Sequence, residues 1–182
     1  MDLESYSTVE CVFVVLLIMA PAYLANTVAV LTGGRYPIDQ GKLYSDGNRI
    51  LGDGKTWSGL IGGTIGGISV GWGIALFTEY ELGAQSFSIF FLLSFGALFG
   101  DMTASFYKRR QNLQRGDKFA LLDMYDFIMM SLFLCFLFER NWLLSWILDG
   151  WIPLFTILVL TPFLHRGVNI IGYKIGVKNE PW

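Results

Sequence analysis

Three aspartates and a lysine have the spacing of a charged site. Asp101, Ser105 and Lys108 fall at i, i+4 and i+7, which is one face of a continuous helix. Asp123 and Asp126, at i and i+3, share a face near the start of the next apolar run. A short connection between the two runs should bring them together as a hairpin, so that three carboxylates converge. Like charges that close repel, and a cation must compensate them. Oxygen ligands without Cys or His suit magnesium, which keeps waters and also binds phosphates. Lys108, Arg109, Arg110, Arg115 and Lys118 lie beside the carboxylates. A proton or sodium pathway has no use for so many cations, whereas magnesium with a polyphosphate does. Arg110, Arg115 and Lys118 are also explained by membrane topology and anionic headgroups.

A second chemistry-bearing stretch is Gly52-Asp53-Gly54-Lys55-Thr56-Trp57. Glycines let backbone N–H groups approach an anion, and Lys55 and Thr56 add a charge and a hydroxyl. The spacing is not that of a Walker A motif, and an ordinary turn before a helix explains it equally well. Asn26 is a further polar residue in an apolar run, able to read a base edge or to bridge helices.

The elements that carry these residues are membrane helices. The chain has 182 residues, 53% of them hydrophobic and only 15% charged, well below the charge content of about 25% usual in soluble domains. Charge deep in a bilayer costs at least about 2.5 to 3.5 kcal/mol, so carboxylates placed there call for a function. Runs of 18 or more apolar residues can cross a hydrocarbon core of about 30 Å. Five segments qualify, at about 9–31, 58–77, 86–106, 121–138 and 150–164, with 142–149 partly interfacial. The reading is an all-α integral membrane protein forming a single polytopic domain over 1–182. The acidic start, with no Lys or Arg before Arg35, is unlike a secretory signal.

All but one of the thirteen Lys and Arg residues fall in three segments, about 32–57, 107–120 and 165–182; the exception is Arg140. The positive-inside rule makes these segments cytoplasmic, with the N-terminus outside and the C-terminus inside. Gly59, Gly63, Gly67 and Gly71 recur every fourth residue. Such a face suits close helix contact, within a protomer or in a homodimer, and a lipid groove is the lesser reading. Cys11 and Cys135 read as packing residues, and a lone His165 does not make a zinc site.

Gly100-Asp101, Ser105-Phe106, Lys108-Arg109-Arg110, Gly116, Leu122-Asp123 and Asp126-Phe127 together resemble the signature of the CDP-archaeol synthases, themselves similar over this stretch to the CDP-diacylglycerol synthases. The likeness extends to 21–33, to 52–59, and to His165, Asn169, Gly172-Tyr173-Lys174, Gly176 and Pro181-Trp182. Met124 departs from the polar residue common in the family. The histidine and glycine-rich insert of the diacyl enzymes is missing, which favours the archaeal branch.

The resemblance implies a cytidylyltransferase of the cell membrane working with Mg2+, membrane lipids and no nucleic acid. CTP and 2,3-di-O-geranylgeranylglyceryl 1-phosphate (unsaturated archaetidic acid) would give CDP-archaeol and pyrophosphate. Asp101, Asp123 and Asp126 would hold metal; Lys55, Thr56, Ser105, Lys108 and Arg109 would hold phosphates, and Asn26 the base. Two other classes compete: a cation- or phosphate-coupled transporter, and a non-catalytic membrane subunit.

Overall fold

The computed structural model describes residues 7–78, 85–113, 120–148, 150–174 and 176. Among the described residues six helices follow one another: α1 (Thr8–Leu31), α2 (Trp57–Phe77), α3 (Gln85–Arg110), α4 (Ala120–Phe138), α5 (Arg140–Trp146) and α6 (Trp151–Lys174). The five expected segments are α1, α2, α3, α4 and α6. The seven-residue α5 occupies the stretch read as interfacial. By length and composition α1, α2, α6 and α3 from Phe87 onward are each able to cross a membrane. The nineteen residues of α4 span about 28 Å, close to one hydrocarbon thickness.

Two helices run further than their apolar signal. α3 continues past 106 to Arg110, and α6 past 164 to Lys174. Backbone hydrogen bonding carries each helix into its basic end, and cations there favour the C-terminal dipole. The connection expected at 107–120 is therefore shorter: Arg115, Gly116 and Lys118 lie outside the described residues. The expected tail at 165–182 is helical to Lys174, and Pro181 and Trp182 are outside the description.

The glycines of α2 allow the central packing. A Cβ at Gly63 would lie 2.7 Å from the Ala25 carbonyl oxygen of α1, and one at Gly67 equally near that of Pro21. Gly67 also faces Ser94 and Gly71 faces Phe90, both of α3. The face is thus filled within the chain by α1 and α3, and the lipid-groove reading falls away. α3 and α4 meet the same way, since a Cβ at Gly96 would come 2.7 Å from the Ser131 Cα, and Gly100 abuts the Asp126 carbonyl. The Ser131 hydroxyl donates to the Leu93 and Phe127 carbonyls, both at 2.8 Å. α6 joins α1 through Tyr23 and Thr161, 2.9 Å apart, and α4 through Tyr125, which donates to the Leu158 carbonyl at 2.7 Å. Cys11 and Cys135 are free thiols in the core. Large apolar side chains such as Phe13, Ile65, Phe77 and Phe163 point outward, as lipid contact requires.

The connection between α1 and α2 folds around one buried carboxylate. Asp39 Oδ1 accepts hydrogen bonds from Gly41 N (3.1 Å) and Arg49 Nη2 (2.6 Å), and Oδ2 from Arg49 Nε (3.1 Å), Leu51 N (3.0 Å) and Gly52 N (2.9 Å). Burial alone would raise its pKa. The bonds from Arg49 and the three amides together outweigh that and hold the carboxyl well below the usual range. Arg110, at the end of α3, locks the connection to the bundle. Its guanidinium lies 4.7 Å from the ring centroids of Tyr44 and Phe106, donates to the Arg49 carbonyl at 2.6 Å and pairs with Asp46 at 2.9 Å. Arg110 thus serves as an architectural clamp.

Gly67→Ala should cost about 1 to 3 kcal/mol through overpacking and lower the melting temperature in detergent. Gly73→Ala, with open space around its Cβ, should leave it unchanged or slightly raised. For Asp39 the folded pKa lies below the unfolded one, so its stabilisation is complete above about pH 4. It is lost as pH falls through the folded value. Protease cleavage within 33–56 should stay constant from about pH 7 to 5 and rise only under stronger acid.

Candidate functional site

The close approach of α3 and α4 at Gly100 sets Asp101 beside the turn of α4 that carries Asp123 and Asp126. Lys55 and Lys108 each reach one of these carboxylates. Lys55, from the connection, pairs with Asp101 Oδ2. Lys108 donates to both oxygens of Asp123, at 2.9 and 3.0 Å. Asp126 takes the Phe127 amide on Oδ1 at 2.6 Å and lies within the fields of Asp101, Lys55 and Asp123. The expected meeting of three carboxylates is thus arranged as two ion pairs plus Asp126. Among the described residues, no three Asp, Glu, His or Cys side chains close into a metal-holding group.

A partly open cleft lies on the α1 side of this cluster. Asn26, Lys55, Thr56 and Asp101 line it, with Ile38 and Met102 among its apolar walls. Among the described residues the Asn26 Oδ1 atom is buried there without a hydrogen-bond partner, and buried polar atoms are seldom left so. Thr56 is the N-cap of α2: its hydroxyl accepts from Gly59 N at 3.1 Å and Gly34 N at 3.3 Å.

The rest of the phosphate-loop reading takes another form. The amides of Leu51 and Gly52 turn to Asp39 and not outward, which leaves the Lys55 side chain as the charged group this stretch presents at the cleft. Arg109 donates to the Leu113 carbonyl and lies against Gly52, whose φ of +94° favours glycine. Ser105 is half-buried, one helical turn beyond Asp101. His165 stacks on Phe127, with ring centroids 5.6 Å apart.

The donor chemistry fits a hard divalent cation. Every carboxylate of the cluster presents hard oxygens, and ammonium groups at Asp101 and Asp123 mark where positive charge is held. Sequence reasoning missed Asp39 and Arg49, which stand ten positions apart in a polar connection with no motif to link them. It also missed Gly96 and Gly100 as contact points, although Gly100 was visible beside Asp101.

Residues 8–182 match a family model described as CarS-like, CDP-archaeol synthase. The CDP-archaeol synthase of Methanospirillum hungatei JF-1 is 47% identical over 170 residues, covering 90% of this chain and 100% of the relative. That of Picrophilus torridus is 44% identical over 171 residues, covering 89% and 92%. A solved structure described as an intramembrane enzyme for archaeal membrane lipids biosynthesis is 33% identical, with a TM-score of 0.65 and coverage of 90% of this chain and 92% of that one.

Removing one partner of a half-buried ion pair strands the other. Lys108→Met should therefore lower stability more than the double change Lys108→Met with Asp123→Asn. Denaturation in detergent should give a coupling of about 0.5 to 3 kcal/mol; strict additivity would separate the two side chains.

Proposed function

The chain belongs to the CDP-archaeol synthase family, and on that premise we propose how the cleft and the charged cluster divide the work of a CTP-dependent nucleotidyltransferase. The relatives named above give no support to a transporter. The reading is carried by one observation: Lys55 and Asp101 meet at a cleft that also presents Asn26 and Thr56.

In this reading the triphosphate of CTP enters the cleft, and an oxygen of the lipid phosphate attacks its α-phosphorus in line. A P–O bond forms to the lipid phosphate, the bond from the α-phosphorus to the bridging oxygen breaks, and pyrophosphate leaves with that electron pair. The attacking phosphate is already ionised, so no general base or covalent nucleophile is needed. Catalysis is mostly positioning and charge neutralisation. Lys55 and Lys108 take the phosphates, with Ser105 and Arg109 beside them. Thr56 holds the start of α2 and offers its hydroxyl at the cleft wall. Asn26 receives a donor of the base through its unpaired oxygen.

Asp101, Asp123 and Asp126 would hold Mg2+, which supplies charge neutralisation and a template for the phosphates when bound. The lipid is the unsaturated diether phosphate, and CDP-archaeol is the product. We place the whole chain in the cell membrane as one domain, with the 32–57 connection, the α3–α4 turn and the end of α6 facing the cytoplasm. The clustering of Lys and Arg in those three segments supports that orientation.

Asp123→Asn should leave the protein expressed and folded, with a loss of detergent stability no larger than that of Lys108→Met, while abolishing magnesium-dependent release of pyrophosphate from CTP. Near-normal turnover would remove Asp123 from the metal site. Lys55→Ala should raise the KM for CTP and leave that for the lipid phosphate unchanged; an unaltered KM for CTP would move the triphosphate elsewhere.

A further inference from the structure

Asp39 touches neither the cleft nor the cluster, yet its side chain is wholly buried within a largely exposed connection. A buried carboxylate is stable only when its lone pairs are taken up, and five hydrogen bonds do so here. Two of them come from consecutive amides, Leu51 and Gly52, just before Lys55. The backbone of Lys55 is tied at both ends to the same centre. Its N–H donates to the Gly52 carbonyl at 3.3 Å, and its carbonyl accepts from Ile38 N, next to Asp39, at 2.8 Å. Arg49 braces the arrangement by binding Asp39 and, at 2.8 Å, Asp53. The main chain at Lys55 therefore has little freedom, and only its side chain spans to Asp101.

We propose that Asp39 is a positioning residue: through Leu51, Gly52 and Arg49 it fixes the Lys55 backbone so that the Lys55 ammonium is held against Asp101 at the cleft. Its catalytic consequence, though not its structural one, depends on the reading of Lys55 as a phosphate-binding group. A long, flexible lysine gains as a phosphate ligand when its anchor is immobile, because less freedom remains to be lost on binding.

The test uses the full-length protein in detergent, acetylated with acetic anhydride and read residue by residue by mass spectrometry. In the unchanged protein Lys55 should react more slowly than the exposed Lys42. Asp39→Asn keeps the shape and removes the charge. It should raise the Lys55 rate several-fold and leave Lys108, paired with Asp123 on the other side of the cluster, unchanged. Arg49→Lys, a milder change, should move Lys55 in the same direction and serves if Asp39→Asn does not fold. An unchanged Lys55 rate, or an equal rise at Lys108, overturns the proposal.

In turnover, Asp39→Asn should raise the KM for CTP about tenfold, the equivalent of one charge-assisted hydrogen bond, with kcat and the lipid KM retained. In a Lys55→Ala background it should add nothing, and a full additive loss there overturns the proposal. If Lys55→Ala by itself leaves the KM for CTP unaltered, the phosphate role of Lys55 fails, while the labelling ratio still decides whether Asp39 positions it.

Discussion

Charge held among apolar helices must be neutralised locally, and most of the arrangement follows from that constraint. Asp101 and Asp123 stand on helices whose outer faces are apolar, where an unpaired carboxylate would be costly. Each is met by a lysine from a different direction, Lys55 from the α1–α2 connection and Lys108 from two turns further along α3. The first pairing requires the connection to fold back over the bundle. The second requires α3 to stay helical past its apolar stretch, as it does to Arg110.

Those pairings in turn depend on how nearly the helices approach. Gly63 and Gly67 let the α1 backbone come within van der Waals contact of α2, and Gly96 and Gly100 do the same between α3 and α4. In a membrane, where apolar side chains gain little by leaving lipid, close backbone packing is a main source of helix association. A methyl group at Gly100 would push against the carbonyl of Asp126 itself. The residue beside Asp101 thus fixes the spacing of the carboxylates as well as the crossing of the helices.

The helices and the carboxylates were legible in the sequence because both are local signals. Long apolar runs mark α1, α2, α3, α4 and α6, and a charge inside such a run is conspicuous. The glycine repeat of α2 also gave its role, though not its partners. The pairing of Lys55 with Asp101 was hidden because it joins residues 46 positions apart, and no local pattern records such a contact. The stretch 52–56 differs from its local reading for a related reason: an amide able to bind a phosphate can bind a carboxylate of the same chain, and Asp39 has taken that of Gly52 together with that of Leu51 before it. The ends of α3 and α6 ran long because hydropathy reports lipid contact, whereas backbone hydrogen bonding decides where a helix stops.

Charge accounting links the ligand-free arrangement to the proposed reaction. Lys55 and Lys108 reach Asp101 and Asp123, and among the described residues no ammonium group pairs with Asp126. In the proposed reaction a divalent cation at the cluster would add positive charge, which favours the arrival of a triphosphate. For the exchange the proposed reaction would require at Lys55 and Lys108, lysine suits better than arginine: its ammonium is a point charge on a flexible stem, free to leave a carboxylate for a phosphate, whereas a guanidinium fork tends to stay bound in its bidentate geometry. Arginine is found where nothing should move, with Arg49 on Asp39 and Arg110 between Tyr44 and Phe106. The two kinds of cation thus separate the fixed frame of the site from the groups that would exchange partners within it.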